Sequence, residues 1–349
     1  MSASPRRARA RTPSLGLAAG ISLAAPADAS GWLRVYALAE RADALGLHSV
    51  WLPENHFQRG ATPSPLVVLA AIAARTRRVR LATTSLLLPL HHPLRVAAET
   101  ATLDVLSGGR LLLGLGRGFR APVFEGFEVE AATKRDRFDE ALDAVLAAWS
   151  GEEVALSGVH FAAREGARVR LGLRPRQRPN PPLVVAAFGR KGLLQAARRS
   201  LAYLASPLET LATLEENYAV WREHLAGEVR QGPERPVMRS VFVARDDAEA
   251  ARVREALAAE AGAIRAGAPR ALASKAAGAL EDRVLVGSAN EVRDGVARYR
   301  ERLGMDLLVA RVELAGALPA ARDASLERLA ELVSELRTGP ADPRGAPAR

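Results

Sequence analysis

Apolar positions along the chain fall into runs of two alternating kinds. Short, nearly continuous apolar runs over Leu15–Ile21, Ser49–Pro53, Val79–Leu88, Arg110–Gly116, Leu183–Ala187, Ala202–Ala205, Val237–Ala244 and Asp306–Val312 predict eight strands buried on both faces. Between them apolar residues return every three or four positions. That period predicts helices over Gly31–Leu45, Ser64–Arg75, Pro93–Leu106, Thr133–Trp149, Lys191–Arg199, Pro207–Leu225, Ala248–Leu280 (broken near Gly267–Pro269), Asn290–Leu303 and Ala321–Arg337. Strands separated by helices pair in parallel through right-handed crossovers, and eight such units predict an α/β fold of the (β/α)8 TIM barrel type. An open doubly wound sheet is the alternative, but no G-x-G-x-x-G opens a helix after the first run.

Turn chemistry fits these boundaries. Ser64-Pro65 reads as an N-cap followed by proline, Ser107-Gly108-Gly109 ends the third helix, and Ser288 or Asn290 can cap the helix before the last strand. Leu66–Ala74 is apolar almost all round, which predicts a helix that meets another subunit. Ser150–Pro182, rich in Gly, Pro and Arg, reads as an insertion between strands 4 and 5; it, or the loops after strands 6 and 7, is the candidate lid, and its GVHF run predicts a small strand outside the barrel. The expected organisation is a disordered basic arm over 1–13, a single barrel domain over 14–337 with the insertion at 150–182, and a disordered tail over 338–349. The arm also imitates a twin-arginine export signal. Cleavage at Ala29 would remove the first of the eight strands, so Leu15–Ile21 is assigned to the barrel.

Composition narrows the function. In 349 residues, 48% of them hydrophobic, no apolar run approaches membrane-spanning length. The chain has no cysteine, which excludes disulfides and thiolate metal sites and suits a cytoplasmic protein. The net charge of +10 suggests nucleic acid, yet only Lys134, Lys191 and Lys275 of the 49 basic residues are lysines. This arginine bias, with aromatics at 5% and not interleaved with basic residues, argues against nucleic-acid binding.

In a barrel, chemistry sits at the carboxyl ends of the strands. Glu54-Asn55-His56-Phe57, Leu90-His91-His92 and Arg117-Gly118-Phe119 fall there. Glu54 also reads as an arginine partner and His91-His92 as a helix cap. Glu54, His56 and His92 lack zinc-site spacing, so no metal is expected. Arg117 stands between Gly116 and Gly118, which suits close backbone approach to a phosphate.

The runs "SVWLPENHF", "LLLPLHHPLRVAAETATLDVLSGGRLLLGLGRGF" and "FEGFEV", in this order and spacing, resemble the bacterial luciferase-like flavin monooxygenases. The likeness is dense over Ser49–Trp149 and looser through "RPNPPLVVAA" and "VLVGSANEV". It implies a luciferase-like barrel, an oxidoreductase acting on paired donors with incorporation of O2, reduced FMN as cofactor, a small organic substrate and a separate flavin reductase. It also implies a homodimer or heterodimer. The family's phosphate-binding arginine falls on Arg117, with contacts from Gly118 and Phe119, and a second arginine falls on Arg135. The phosphate loop after strand 5, following Ala187, reads Phe188-Gly189-Arg190-Lys191 here, so the family's hydroxyl residues are missing and backbone amides and basic side chains would substitute. A non-proline cis peptide that supports the flavin ring falls on Thr84-Ser85. The proton-transferring histidine of the catalytic luciferase chain is Asn55 here, and asparagine cannot exchange a proton near neutral pH. The expected catalytic set is therefore Asn55, His56 and His92, without light emission. Two alternatives stay open: an F420-dependent hydride-transfer enzyme of the same fold, and a non-catalytic luciferase-like subunit.

Overall fold

Ten strands alternate with helices among the described residues of the computed structural model, which are 17–338 except 25, 27–30, 165–166, 188, 230–231 and 268–277. The strands are β1 (Ala18–Ser22), β2 (Ser49–Leu52), β3 (Arg80–Thr83), β4 (Leu86–Leu87), β5 (Leu111–Gly116), β6 (Leu183–Ala186), β7 (Ala202–Leu204), β8 (Pro236–Val243), β9 (Val284–Gly287) and β10 (Leu307–Arg311). The helices are α1 (Trp32–Ala44), α2 (Pro65–Arg75), α3 (Pro93–Leu106), α4 (Ala121–Gly126), α5 (Lys134–Ser150), α6 (Arg190–Arg198), α7 (Leu211–Glu223), α8 (Asp247–Gly267), α9 (Ala289–Leu303) and α10 (Pro319–Thr338).

The sheet is parallel throughout, in the order β7-β6-β5-β3-β2-β1-β10-β8-β9 with β4 on β5. A parallel bridge from Ala205, just past β7, to Val237 links that edge strand to β8, so the sheet is strongly curved. Alternation along each strand separates an inner from an outer core, and a third, smaller cluster around Phe242, Val253 and Val286 lies under α8. Trp51, Ala82, Leu112, Val184, Met238 and Val309 cluster on the inner face. Val50, Leu52, Leu111 and Leu113 point outward into the packing of the helices. Both faces are buried, which is why these strands read as apolar runs rather than alternating ones. No described helix is long and apolar enough to cross a membrane.

Several expectations change. The strand predicted over Val79–Leu88 is two: β3 stops at Thr83, the Thr84–Ser85 peptide is cis, and β4 is followed by a 3-10 turn over Leu88–Leu90. The run Val284–Gly287 is a strand the eight-strand count left out, and it pairs with the carboxyl half of β8. Ser288 caps α9 in a full capping box with Glu291, whereas Ser64 occupies the N-cap of α2 without a side-chain bond. GVHF forms no strand; Gly158 N bonds Phe161 O in a turn, between bridges pairing Val154 with Val169 and Ser157 with Ala162.

The described part of 150–182 does not cross the mouth of the sheet. The Glu140 carboxylate on α5 accepts the amides of His160 and Phe161. Gln177 bonds Asp104 at the end of α3 and the Leu111 carbonyl at the start of β5. The segment thus runs along α5 to the amino-terminal foot of the sheet. The basic arm and the tail expected over 338–349, apart from residue 338, lie outside the described residues.

Candidate active site

A cavity of about 780 Å³ opens at the carboxyl ends of the strands. Its wall comes from residues at or just after the ends of β1, β2, β3, β5, β6 and β7, together with Met238 of β8, Glu260 of α8 and Arg311 at the end of β10. None of it comes from the described residues of 150–182.

One side is cationic. Arg117, Lys134, Arg135 and Lys191 all line it. The Arg117 guanidinium lies on the first turn of α6, where a methyl group on Gly192 would come within 2.1 Å of Nη2. Its Nη1 donates to Gln195 Oε1 at 3.0 Å, and Gln195 Nε2 donates to the Arg135 carbonyl at 3.1 Å. Gln195 thereby ties α6, α5 and the end of β5 together. Burial lowers the Arg117 pKa, and the nearby charge of Arg135 lowers it further against the pull of Asp139. Lys134 is lowered for the same reasons, burial first and then Arg135 and Arg117. Like charges gathered at a helix amino terminus, where backbone N–H groups lack partners, make a cradle for a phosphate.

The other side carries Glu54, Asn55 and His56. Glu54 is buried, and its Oε1 accepts from His56 Nε2 at 2.7 Å and from His91 Nε2 at 2.8 Å. Its Oε2 accepts the Leu87 amide at 2.6 Å. Burial would raise the Glu54 pKa, but the hydrogen bond and charge of His91, the Leu87 amide and the bond from His56 outweigh it and hold the carboxyl below its usual range. Asn55 Oδ1 accepts the Thr62 amide at 2.6 Å, so its carbonyl end closes the loop over 55–62. Between the two sides, the wall is apolar: Leu87, Val123, Leu204 and Met238.

Arg117, Gly118, Phe119, Arg135, Thr84, Ser85, Ala187, Asn55 and His56 all line this cavity. Gly189 does not; it is the N-cap of α6, with φ +74°. Phe188 lies outside the described residues. His92 is a correction: it is exposed, stands at the N-cap of α3 and meets Phe161 edge-on at 5.9 Å. The chain is extended through His91 and His92, so neighbouring side chains point opposite ways and only His91 reaches Glu54. Sequence reasoning also missed Gln195 and the place of Lys134. Its one available signal was helical spacing, which puts Gln195 three positions after Gly192. Among the described residues no three His, Asp or Glu are grouped to hold a metal ion.

Comparison with known proteins follows the same lines. The chain is 36% identical over 151 residues to the 4-hydroxyprotoasukamycin monooxygenase of Streptomyces nodosus subsp. asukaensis, covering 43% of this chain and 40% of that one. It is 29% identical over 219 residues to the oxygenase component of the flavin-dependent trigonelline monooxygenase of Acinetobacter baylyi, covering 61% and 59%. The chain spans about half the length of the curated relatives it matches. Among solved structures, the monooxygenase RslO1 of Streptomyces bottropensis superposes with a TM-score of 0.74 at 29% identity, covering 90% of this chain and 98% of that one. The oxygenating constituent of 3,6-diketocamphane monooxygenase from Pseudomonas putida, in complex with FMN, superposes at 0.76 with 21% identity, covering 91% and 97%. The F420-dependent tetrahydromethanopterin reductase of Methanopyrus kandleri superposes at 0.68 with 18% identity, covering 91% and 99%. The last two speak for the fold alone. Residues 15–306 match the luciferase-like monooxygenase family, and the chain belongs to it.

Proposed function

We propose that the chain is an FMN-dependent monooxygenase on a (β/α)8 barrel, taking reduced flavin from a separate reductase and oxygenating a small organic substrate. The observation that carries this reading is the cavity itself: four cations from the end of β5 and the starts of α5 and α6 on one side, a histidine-bearing pocket on the other, and an apolar wall between them. The residues fit a phosphorylated flavin. Arg117, Lys134, Arg135 and Lys191 would hold the phosphate, with charge-assisted hydrogen bonds of roughly 1.5–3 kcal/mol each. Bound reduced flavin supplies the reaction with oxygen. Leu87, Val123 and Met238 exclude water from the reacting region. His56, whose Nε2 is held by Glu54, keeps Nδ1 free of described protein partners and is the group able to hold or pass a proton there.

The names of the monooxygenase relatives favour oxygen chemistry, and the "oxygenase component" from Acinetobacter baylyi favours a reductase partner. A dimer is supported by apolar side chains left in solvent on adjoining helices, Val67 of α2 at 70% exposure and Leu106 of α3 at 68%. A cytoplasmic location rests on the cysteine-free sequence. A second reading, F420-dependent hydride transfer, draws on Lys191 in the cradle, which suits a longer phosphate-bearing tail. Titrating the protein with FMN, riboflavin and F420, in both redox states, separates these. FMN should bind best, riboflavin weakly, and the reduced FMN complex should consume O2 in a substrate-dependent way. Preference for F420 without oxygen consumption moves the assignment to the second reading, and no affinity for either cofactor ends both.

A further inference from the structure

Three donors converge on one carboxylate beside the cavity. Glu54 accepts His56 Nε2 and His91 Nε2 on the same oxygen and the Leu87 amide on the other. A carboxylate held this way cannot rotate, and it fixes both imidazoles as Nε2–H donors. His56 is 6% exposed, and its ring meets Phe127 edge-on at 4.8 Å and Phe57 at 5.7 Å. His91 lies on the other side of Glu54; its side chain is 31% exposed and does not line the cavity. The charged groups beside this cluster are Arg120, whose Nη1 donates to the His56 carbonyl at 3.4 Å, and Arg137, whose Nε donates to the Pro89 carbonyl at 3.0 Å.

We propose that Glu54 fixes His56 in the tautomer that presents a bare Nδ1 to the cavity, and that His91 is a positioning residue acting on His56 through the same Glu54 oxygen. The proton step balances without electrons moving. A proton leaving a cavity-side donor goes onto Nδ1, giving an imidazolium whose second N–H stays on Glu54, and the reverse step returns it. This arrangement does the work that Asn55 cannot, since a carboxamide exchanges no proton near neutral pH, and its carbonyl end holds the Thr62 amide instead. The ionised state of Glu54 required here agrees with the depressed pKa produced by its donors despite burial. The inference rests on reading the cavity as the active site, and it concerns this chain's residues without flavin.

The test is nitrogen NMR of the flavin-free full chain labelled at its six histidines, in alkaline solution where the imidazoles are neutral. Signals are assigned with His56→Gln and His91→Gln. His56 and His91 should both appear as Nε2–H tautomers with slowly exchanging protons, while exposed His92 averages between tautomers. In Glu54→Gln the side-chain amide would face the Leu87 N–H unless it turns its own NH2 toward the imidazoles, so His56 should move to the Nδ1–H form. His91→Leu should speed exchange of the His56 Nε2 proton about tenfold, and His91→Gln, which still donates to Glu54, should restore most of the protection. An Nδ1–H tautomer for His56 in the unaltered protein overturns the proposal without any variant needing to fold. Unchanged His56 exchange in His91→Leu removes His91 from it. FMN affinity, measured separately, decides the cofactor reading and leaves these outcomes as they stand.

Discussion

The Arg117 guanidinium occupies the space that a side chain at position 192 would need: a Cβ built on Gly192 would stand 2.1 Å from Nη2 and 2.7 Å from Nη1. Neither partner can change alone. Gly192→Ala should favour α6, because alanine is the better helix former by up to about 1 kcal/mol, and yet displace the guanidinium. The expected result is a Tm unchanged or slightly raised, with FMN affinity down about tenfold. Arg117→Ala should lose about 10- to 100-fold, as fits one charge-assisted phosphate contact. Riboflavin, which lacks the phosphate, should lose little in either variant. Equal losses for FMN and riboflavin would place the guanidinium away from the phosphate.

His48 predicts a distinct acid lability. It lies at the entry to β2 with Nδ1 2.9 Å from Ser49 Oγ, and burial, helped by the charge of Arg80, lowers its pKa from 6.5 to about 4. A depressed histidine is neutral in the folded chain and protonates more readily in the unfolded one. Its contribution is therefore whole above about pH 6.5 and is lost as pH falls toward 4, at most roughly 3 kcal/mol. Denaturant unfolding of the unaltered protein and of His48→Asn should show a stability difference that shifts against the unaltered protein as pH falls from about 6.5 to 4 and is constant outside that window. Parallel curves would mean that His48 is solvated.

Asn55 and Thr62 face each other across the rim loop, with Asn55 Oδ1 accepting the Thr62 amide at 2.6 Å and the Asn55 amide donating to the Thr62 carbonyl at 3.2 Å. The Thr62 hydroxyl is buried and has no hydrogen-bond partner among the described residues. Two substitutions should thus act in opposite senses. Asn55→Ala removes an acceptor from a backbone N–H and should cost about 1–2 kcal/mol with faster proteolysis in 55–62. Thr62→Val replaces an unsatisfied hydroxyl with an isosteric methyl and should be neutral or stabilising. A loss above about 1 kcal/mol in Thr62→Val would reveal a partner for that hydroxyl.

The legible part of this molecule was the part encoded locally. Runs buried on both faces announced the parallel sheet, and a glycine-flanked arginine announced one wall of the cavity, because both depend on neighbours in sequence. The choice between His91 and His92 was not legible. It depends on the 3-10 turn over Leu88–Leu90, which sets the phase of the extended pair that follows. Gln195 joins residues 60 and 78 positions away, a meeting that no spacing reports. The insertion misled because its length suggested a lid, whereas Glu140 and Asp104 bind its backbone along the side and foot of the sheet.

Arg239 is the residue least expected from its surroundings, a charge in the middle of the apolar strand β8 and 0% exposed. Its Nε donates to Tyr299 Oη at 2.7 Å, Nη1 to the carbonyls of Ser206 and Met238 at 2.7 Å each, and Nη2 to the Glu209 carbonyl at 3.0 Å. Two of these acceptors, Ser206 and Glu209, bracket the rim loop that puts Ser206, Pro207 and Leu208 on the cavity wall. The guanidinium thus replaces the hydrogen bonds that loop carbonyls would otherwise seek from water. Arg239→Met keeps an unbranched apolar stem but removes every donor, leaving several buried acceptors unsatisfied at about 1–3 kcal/mol each. Stability should fall by roughly 3–5 kcal/mol, with protease cutting concentrated near 206–210. Arg239→Lys restores charge but not the planar fork and should recover less than half of that loss. If Arg239→Met leaves the loop as resistant as before, the loop is held by Tyr203 and Asn217, which bond the Glu209 carboxylate, and the arginine only fills space.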